Sequence, residues 1–382
     1  MLKLDMTTGR MWSGRGTVFA DGPYVYSLRG RVGGREVTVG ELGARTVTTT
    51  GDGIIVRGLF EGLGVEMVQR FRLGPGRVME TLAFLNLGDE AVRLGDIGLG
   101  FSAELGGRLD WRLCAIPFRV QLDGSRHDYS AGDLIEGRFR NAVYRDPTRP
   151  EPALVEEGRL RSEAWAWWAG GHGLLVAKYN NNDIELSVAA PVRQGSRITL
   201  RFGGAGTCLY GEPGRGHRLA PGQSFTFGTT HYVYVDGRIE EAFACYRDLL
   251  DSLGHGLPAD YTPPVNWNEL YDVGWHHSDP QRLNACYTRD ALLGEAEKAR
   301  ACGCDLLYLD PGWEVAEGTT RWDEGRLGKA EDFVRQMQRD FGLHVGLRTI
   351  LRCYREHWDR RHMVQPLAGD KAPVPIWPDQ TL

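Results

Sequence analysis

In Asp305-Leu-Leu-Tyr-Leu-Asp-Pro-Gly-Trp313, a run of mostly apolar residues ends on a carboxylate, a turn and an indole. The run is too short for a buried helix and follows a helical segment ending at Gly303, so it reads as a strand buried on both faces. Proline disfavours the helical region for the residue before it, so Asp310 stays extended and points out of the strand's carboxyl end. In parallel α/β folds that end is where ligands bind. A fixed carboxylate beside an indole suits a sugar, whose hydroxyls need acceptors and whose C–H face packs on an aromatic ring. The alternative is that Asp310 caps the following turn and Trp313 packs in the core.

The neighbouring segments extend the pattern. Val265-Asn-Trp-Asn-Glu-Leu-Tyr271 reads as a short strand and its loop, and Asp290 to Ala301 as a helix of alternating apolar and charged residues. After the central strand come a long loop to Gly328, a helix from about Lys329 to Asp340, and a third strand, Leu343-His-Val-Gly-Leu-Arg-Thr349. Strand, helix, strand, helix, strand is βαβαβ, which requires a parallel sheet. Residues 265–382 are fewer than half of the ~250 that a (β/α)₈ barrel takes, so about three of its strands are expected. Residues 363–382 carry four prolines and no strong period, and read as a loop or a disordered tail.

Upstream the grammar has period two. Arg35–Val39, Gly53–Arg57, Val65–Phe71 and Arg77–Leu85 alternate or nearly so, and Gly-, Asn- and Asp-containing turns separate them. Further strands are expected at Leu174–Lys178, Ile184–Val188, Ser196–Phe202, Gln223–Gly228 and Thr229–Val235. So many strands in residues 1–237 imply a large antiparallel sandwich. Ile239 to Leu253 is an amphipathic helix, and with the Pro-containing segment to Pro264 it forms the connection, 238–264. The expected fold class is thus multi-domain β plus α/β, an antiparallel β-supersandwich followed by the first part of a (β/α)₈ barrel.

Composition narrows the function. A formal net charge of −5, with scattered basic residues, offers nucleic acid no basic surface. No stretch reaches the ~20 apolar residues that span a bilayer, and the amino terminus lacks the basic and apolar segments of a signal peptide. The seven cysteines are odd in number and irregularly spaced, which points to reduced thiols, mostly buried, in a cytoplasmic protein. There is no GxSxG, P-loop or HExxH, and no cofactor or metal is expected. His276-His-Ser-Asp279 makes a poor metal site, because adjacent histidines of an extended segment point to opposite faces. Trp165 and Trp167 share a face of one strand and read as packing between sheets.

If the βαβαβ reading holds, three strand ends converge on one rim. The first offers Asn266, Trp267, Asn268 and Glu269, and the second Asp310 and Trp313, with Trp322 and Asp323 in the loop beyond. The third offers Arg348 and Arg352. Residues at such ends are often functional. Turn chemistry is the competing account of Asn266 and Asn268, and an ion pair with Asp310 or a solvated loop is the favoured one for the arginines.

With these residues in place, the chain resembles the α-galactosidases of glycoside hydrolase family 36, in clan D. Members show a Leu-Asp-Asp-Gly-Trp segment after strand two, which Asp310, Gly312 and Trp313 match, and Gly342-Leu-His-Val-Gly-Leu347 resembles their third strand. Element order matches over the whole chain, while residue matches are confined to about 265–350. The resemblance implies retaining hydrolysis of terminal α-linked sugars by the complete protein, with an oligosaccharide or glycoside as partner and further copies of the chain as an option. It matches Asp310 and Trp313, and departs at Arg348, where the family's third strand has a tryptophan; with the strand-end reading, the expected substrate site is drawn from Asp310, Trp313, Trp267, Asn268, Trp322 and Arg348. In the family the paired aspartates hold galactose hydroxyls; here Pro311 replaces the second, which puts the choice of sugar in question. The family's nucleophile and acid/base follow strands four and six, so no catalytic residue is assigned and the chain by itself is expected to be inactive. The alternatives are a carbohydrate-binding or structural protein with a degenerate barrel, and a sugar epimerase with a His and a Glu on one concave sheet.

Overall fold

The computed structural model describes residues 1–116, 128–139, 160–180, 185–204, 218–274, 276, 279–315 and 320–349. The chain divides into two compact units, Met1–Gly256 and Leu257–Leu382.

In the first unit, among the described residues, a ten-stranded antiparallel sheet is the largest element. Its middle runs His172–Tyr179, Thr229–Asp236, Arg77–Asn86, Val65–Gly74, Gly53–Phe60, each strand hydrogen-bonded to the next. The remaining strands form a five-stranded sheet, a four-stranded sheet and a small three-stranded one. Alternation does the sorting: along Arg77–Asn86 every second residue is buried, so Val78, Leu82 and Phe84 enter the core. There Tyr24 and Phe101 of the five-stranded sheet meet Phe71 and Tyr232 of the large one edge to face or tilted. Trp165 and Trp167 are buried in the same core, with the Trp165 indole N–H donating to the Ser187 carbonyl.

Three details depart from the sequence expectations. The strand expected at Ile184–Val188 runs instead over Ser187–Gln194. Glu185 is held out of the ladder, because its carboxylate pairs with buried Lys178 at 3.3 Å and accepts the Gly228 N–H. The helix Ile239–Leu250, expected in the connection, lies within the first unit. It lays Ala242 and Leu249 on Cys114, Ala166, Leu175 and Ala177 of the large sheet, which buries that face. Of the five described cysteines, all free, only Cys114 is buried; Cys286 and Cys302 are exposed at helix ends.

In the second unit, among the described residues, three parallel strands run in the order Asn266–Asn268, Leu306–Leu309, His344–Leu347. The helix Arg289–Ala301, capped by the Thr288 side chain, lies between the first two in sequence. Ala330–Gln336 continues in a wider turn to Phe341 and stops at left-handed Gly342 before the third strand. Leu307 and Leu309 are fully buried with Ala296, Phe333 and Met337. Leu306 and Tyr308 are only half-buried, so the central strand is covered completely on one face rather than on both as expected. The cause is the placing of the helices, which pack on the Leu307 side. Short helices at Leu270–Val273 and Pro280–Cys286 were not anticipated. No helix of the described residues is long and apolar enough to cross a membrane.

Candidate functional site

The three strands deliver three polar side chains to one rim. Asn268 ends the first strand, Asp310 follows the second, and Arg348 follows the third, its N–H bonded to the Leu309 carbonyl at 2.8 Å. The Asp310 carboxylate receives Asn268 Nδ2 on one oxygen at 3.0 Å and stands 3.4 Å from Arg348 Nε with the other. Its side chain keeps 14% of its surface exposed and that of Arg348 31%, so the pair is at the edge of water and not sealed in the interior. The Asp310–Arg348 ion pair is the favoured sequence reading of that arginine. Arg352 lies outside the described residues.

The turn that presents Asp310 is built from below. Glu269, fully buried, accepts the Asp310 backbone N–H at 2.8 Å and the Tyr287 hydroxyl at 2.7 Å on the same oxygen. Its second oxygen is buried without a partner among the described residues. Gly312 then turns at φ +136°, and a Cβ there would stand 2.7 Å from the Tyr287 ring. Burial pushes the Glu269 carboxyl up to about 7, against the opposing pull of its bonds from Tyr287 and Asp310. Burial and the Glu269 charge raise the Tyr287 phenol well above its ordinary range, which keeps it a donor.

The three indoles are placed differently. Trp313 is 3% exposed and its N–H donates to the Arg348 carbonyl at 3.0 Å, so it fixes the backbone of the third strand's end. Trp322 is half-buried between Trp313 and Phe333, with its N–H on the Gly328 carbonyl, and lines an open cleft of about 710 Å³ with Thr320, Arg321 and Asp323. Trp267 is half-buried with its N–H on Glu295 of the helix Arg289–Ala301, on the opposite face of its strand from Asn268. Asp310, Asn268 and Arg348 therefore come together, whereas the indoles pack around and behind them. His276 bonds the Val273 carbonyl with its imidazole, and His277 and Ser278 lie outside the described residues.

Sequence reasoning placed Glu269 at a strand end without giving it a role. The local pattern gave no signal for it: the strand ends at Asn268 and Glu269 already has helical backbone angles, so alternation does not tell which way it faces. Tyr287 carried no signal either.

No protein-family profile matches the chain, and no curated protein does. Solved structures do match. An α-galactosidase from Lactobacillus brevis is 13% identical at a TM-score of 0.50, the match covering 88% of this chain and 43% of that one. The galactosidase domain of the α-galactosidase–sucrose kinase AgaSK is 12% identical at 0.52, with 94% and 48% covered. The family-36 α-galactosidase AgaA from Geobacillus stearothermophilus is 16% identical at 0.51, with 88% and 45% covered. This chain spans somewhat less than half the length of these proteins. In fold it is therefore like the family-36 α-galactosidases, with a β-supersandwich followed by the first strands of a (β/α) barrel.

Proposed function

We propose that this chain supplies the substrate-gripping rim of an α-glycosidase, a retaining enzyme on terminal α-linked sugars when complete, and that the chain alone binds a monosaccharide unit without hydrolysing it. The observation that supports this is the Asp310 carboxylate: an amide and a guanidinium hold it at the carboxyl end of parallel strands, yet part of it stays open. A carboxylate has about four lone-pair positions, and Asn268 and Arg348 contact one oxygen each, so sugar hydroxyls can donate to it. Variants of AgaA crystallised with stachyose and with raffinose share this fold, which favours a glycoside as the ligand class here. The free cysteines fit a cytoplasmic setting. The epimerase alternative fares worse: Glu80 pairs with Thr230 and Met79 with His231, so, among the described residues, buried Glu80 and buried His231 stand on opposite faces of the large sheet.

Saturation-transfer NMR with methyl α-galactopyranoside and methyl α-glucopyranoside tests the reading. Binding is expected, with a loss of roughly tenfold or more in Asp310→Ala, the weight of a hydrogen bond to a charged group. Binding that is unchanged in Asp310→Ala, or turnover of an aryl α-galactoside by the chain alone, refutes it.

A further inference from the structure

Asp310 is held at its backbone as well as at its carboxylate. A single oxygen of Glu269 accepts the Asp310 N–H, across 41 residues of sequence, and the Tyr287 hydroxyl. The Tyr287 ring in turn lies where any side chain at position 312 would have to go, so the Asp-Pro-Gly turn rests on that ring. Arg326 closes the arrangement. Its guanidinium stands 5.5 Å over the Tyr287 ring, donates to the Tyr287 carbonyl at 3.0 Å, and is itself held by Asp323. The result is a loop of contacts from Asp310 through Gly312, Tyr287 and Glu269 back to Asp310, with no water-exposed member at Glu269.

We infer that Glu269 is a positioning residue, fixing through Tyr287 and the Asp310 backbone the direction in which the Asp310 carboxylate meets a sugar. The inference rests on the reading of Asp310 as the sugar acceptor. Two forms of Glu269 are populated around neutral pH, because burial holds its carboxyl near 7. Ionised, it is the stronger acceptor, since hydrogen bonds to a charged oxygen are about twice as strong as neutral ones. Its charge also adds to the negative potential at Asp310, which strengthens donation from sugar hydroxyls. Protonated, it grips the turn less firmly. The groups around it are Asp310 after the second strand, Tyr308 on that strand and Tyr287 after the helix Pro280–Cys286, with Arg326 of the helix Glu324–Leu327 against Tyr287 and Arg348 beyond Asp310. On the helix side Glu295 and Lys298 pair with each other at 2.7 Å.

Two measurements on the full chain test this. The first is affinity for methyl α-galactopyranoside from pH 5.5 to 8.5, which is expected to tighten roughly three- to tenfold in the wild type and to stay flat in Glu269→Gln. The second is the Asp310 amide resonance over the same range, expected to move with a midpoint near pH 7. In Tyr287→Phe, which removes a bond that favours the ionised form, the midpoint is expected to rise. A purely structural role would leave the affinity without this pH dependence. An affinity that keeps its pH dependence in Glu269→Gln, or an Asp310 amide without a step in the wild type, overturns the inference. A normal amide step with no sugar bound at any pH instead sinks the sugar reading of Asp310, and the affinity half of the inference with it.

Discussion

Raising the pH should weaken the second unit through one side chain, Glu269. A buried carboxyl pushed up to about 7 from its ordinary 4.5 binds its proton more tightly when folded than when unfolded. Stability contributed by that proton is full below pH 4.5 and lost as pH rises through 7, the reverse of the usual salt-bridged carboxylate. The whole window is worth about 3 kcal/mol, of which about 2 kcal/mol falls between pH 5.5 and 8.5. The perturbation is Glu269→Gln, which keeps the shape and one acceptor but cannot ionise. At pH 5.5 the variant should be the less stable, by about 1–3 kcal/mol, because its amide N–H₂ occupies the place of the unpartnered oxygen. By pH 8.5 the gap should close by about 2 kcal/mol. Urea unfolding followed by the methyl NMR signals of Leu307 and Leu309 reports this unit directly, since both are fully buried in its central strand. Every other titrating group is common to the two proteins and cancels in the difference. Parallel pH slopes for wild type and variant would refute the reasoning, and with it the picture of a carboxyl stranded beneath the turn.

Three other outcomes are expected. Gly312→Ala should destabilise the second unit by about 1–3 kcal/mol, measured by the same urea series, because φ +136° and the Tyr287 ring both oppose a Cβ. Lys178→Met should cost the first unit about 3–5 kcal/mol, leaving Glu185 buried and uncompensated, whereas Lys178→Met with Glu185→Leu should recover most of that in thermal melts. Pro311→Asp restores the second acid of the resembled family and should tighten methyl α-galactopyranoside binding roughly tenfold relative to the glucoside, read by titration NMR.

The local pattern carried a good deal of this protein. Period two in Arg35–Val39 and Arg77–Leu85 marked strands whose observed bounds are Arg35–Val39 and Arg77–Asn86, because alternation and turn residues are short-range signals. Leu2–Asp5 and Arg10–Ser13 were missed, since four-residue strands hold too few repeats to show a period. At the rim, the strand ends named from the sequence bring Asn268, Asp310 and Arg348 into contact with one another.

What the amino-acid order determined by itself was therefore the succession of a β-rich unit and a βαβαβ unit, and the residues offered at the strand ends. Only the tertiary structure decided what those residues do. It set Asn268 and Arg348 on Asp310, sent the Trp313 indole to a backbone carbonyl, and put Glu269 under the turn with Tyr287. The physical reason is range. Strand period and turn propensity act over a few residues, whereas burial, the pairing of a carboxylate and the cost of an unpartnered oxygen depend on groups tens of residues apart that meet only in the folded chain.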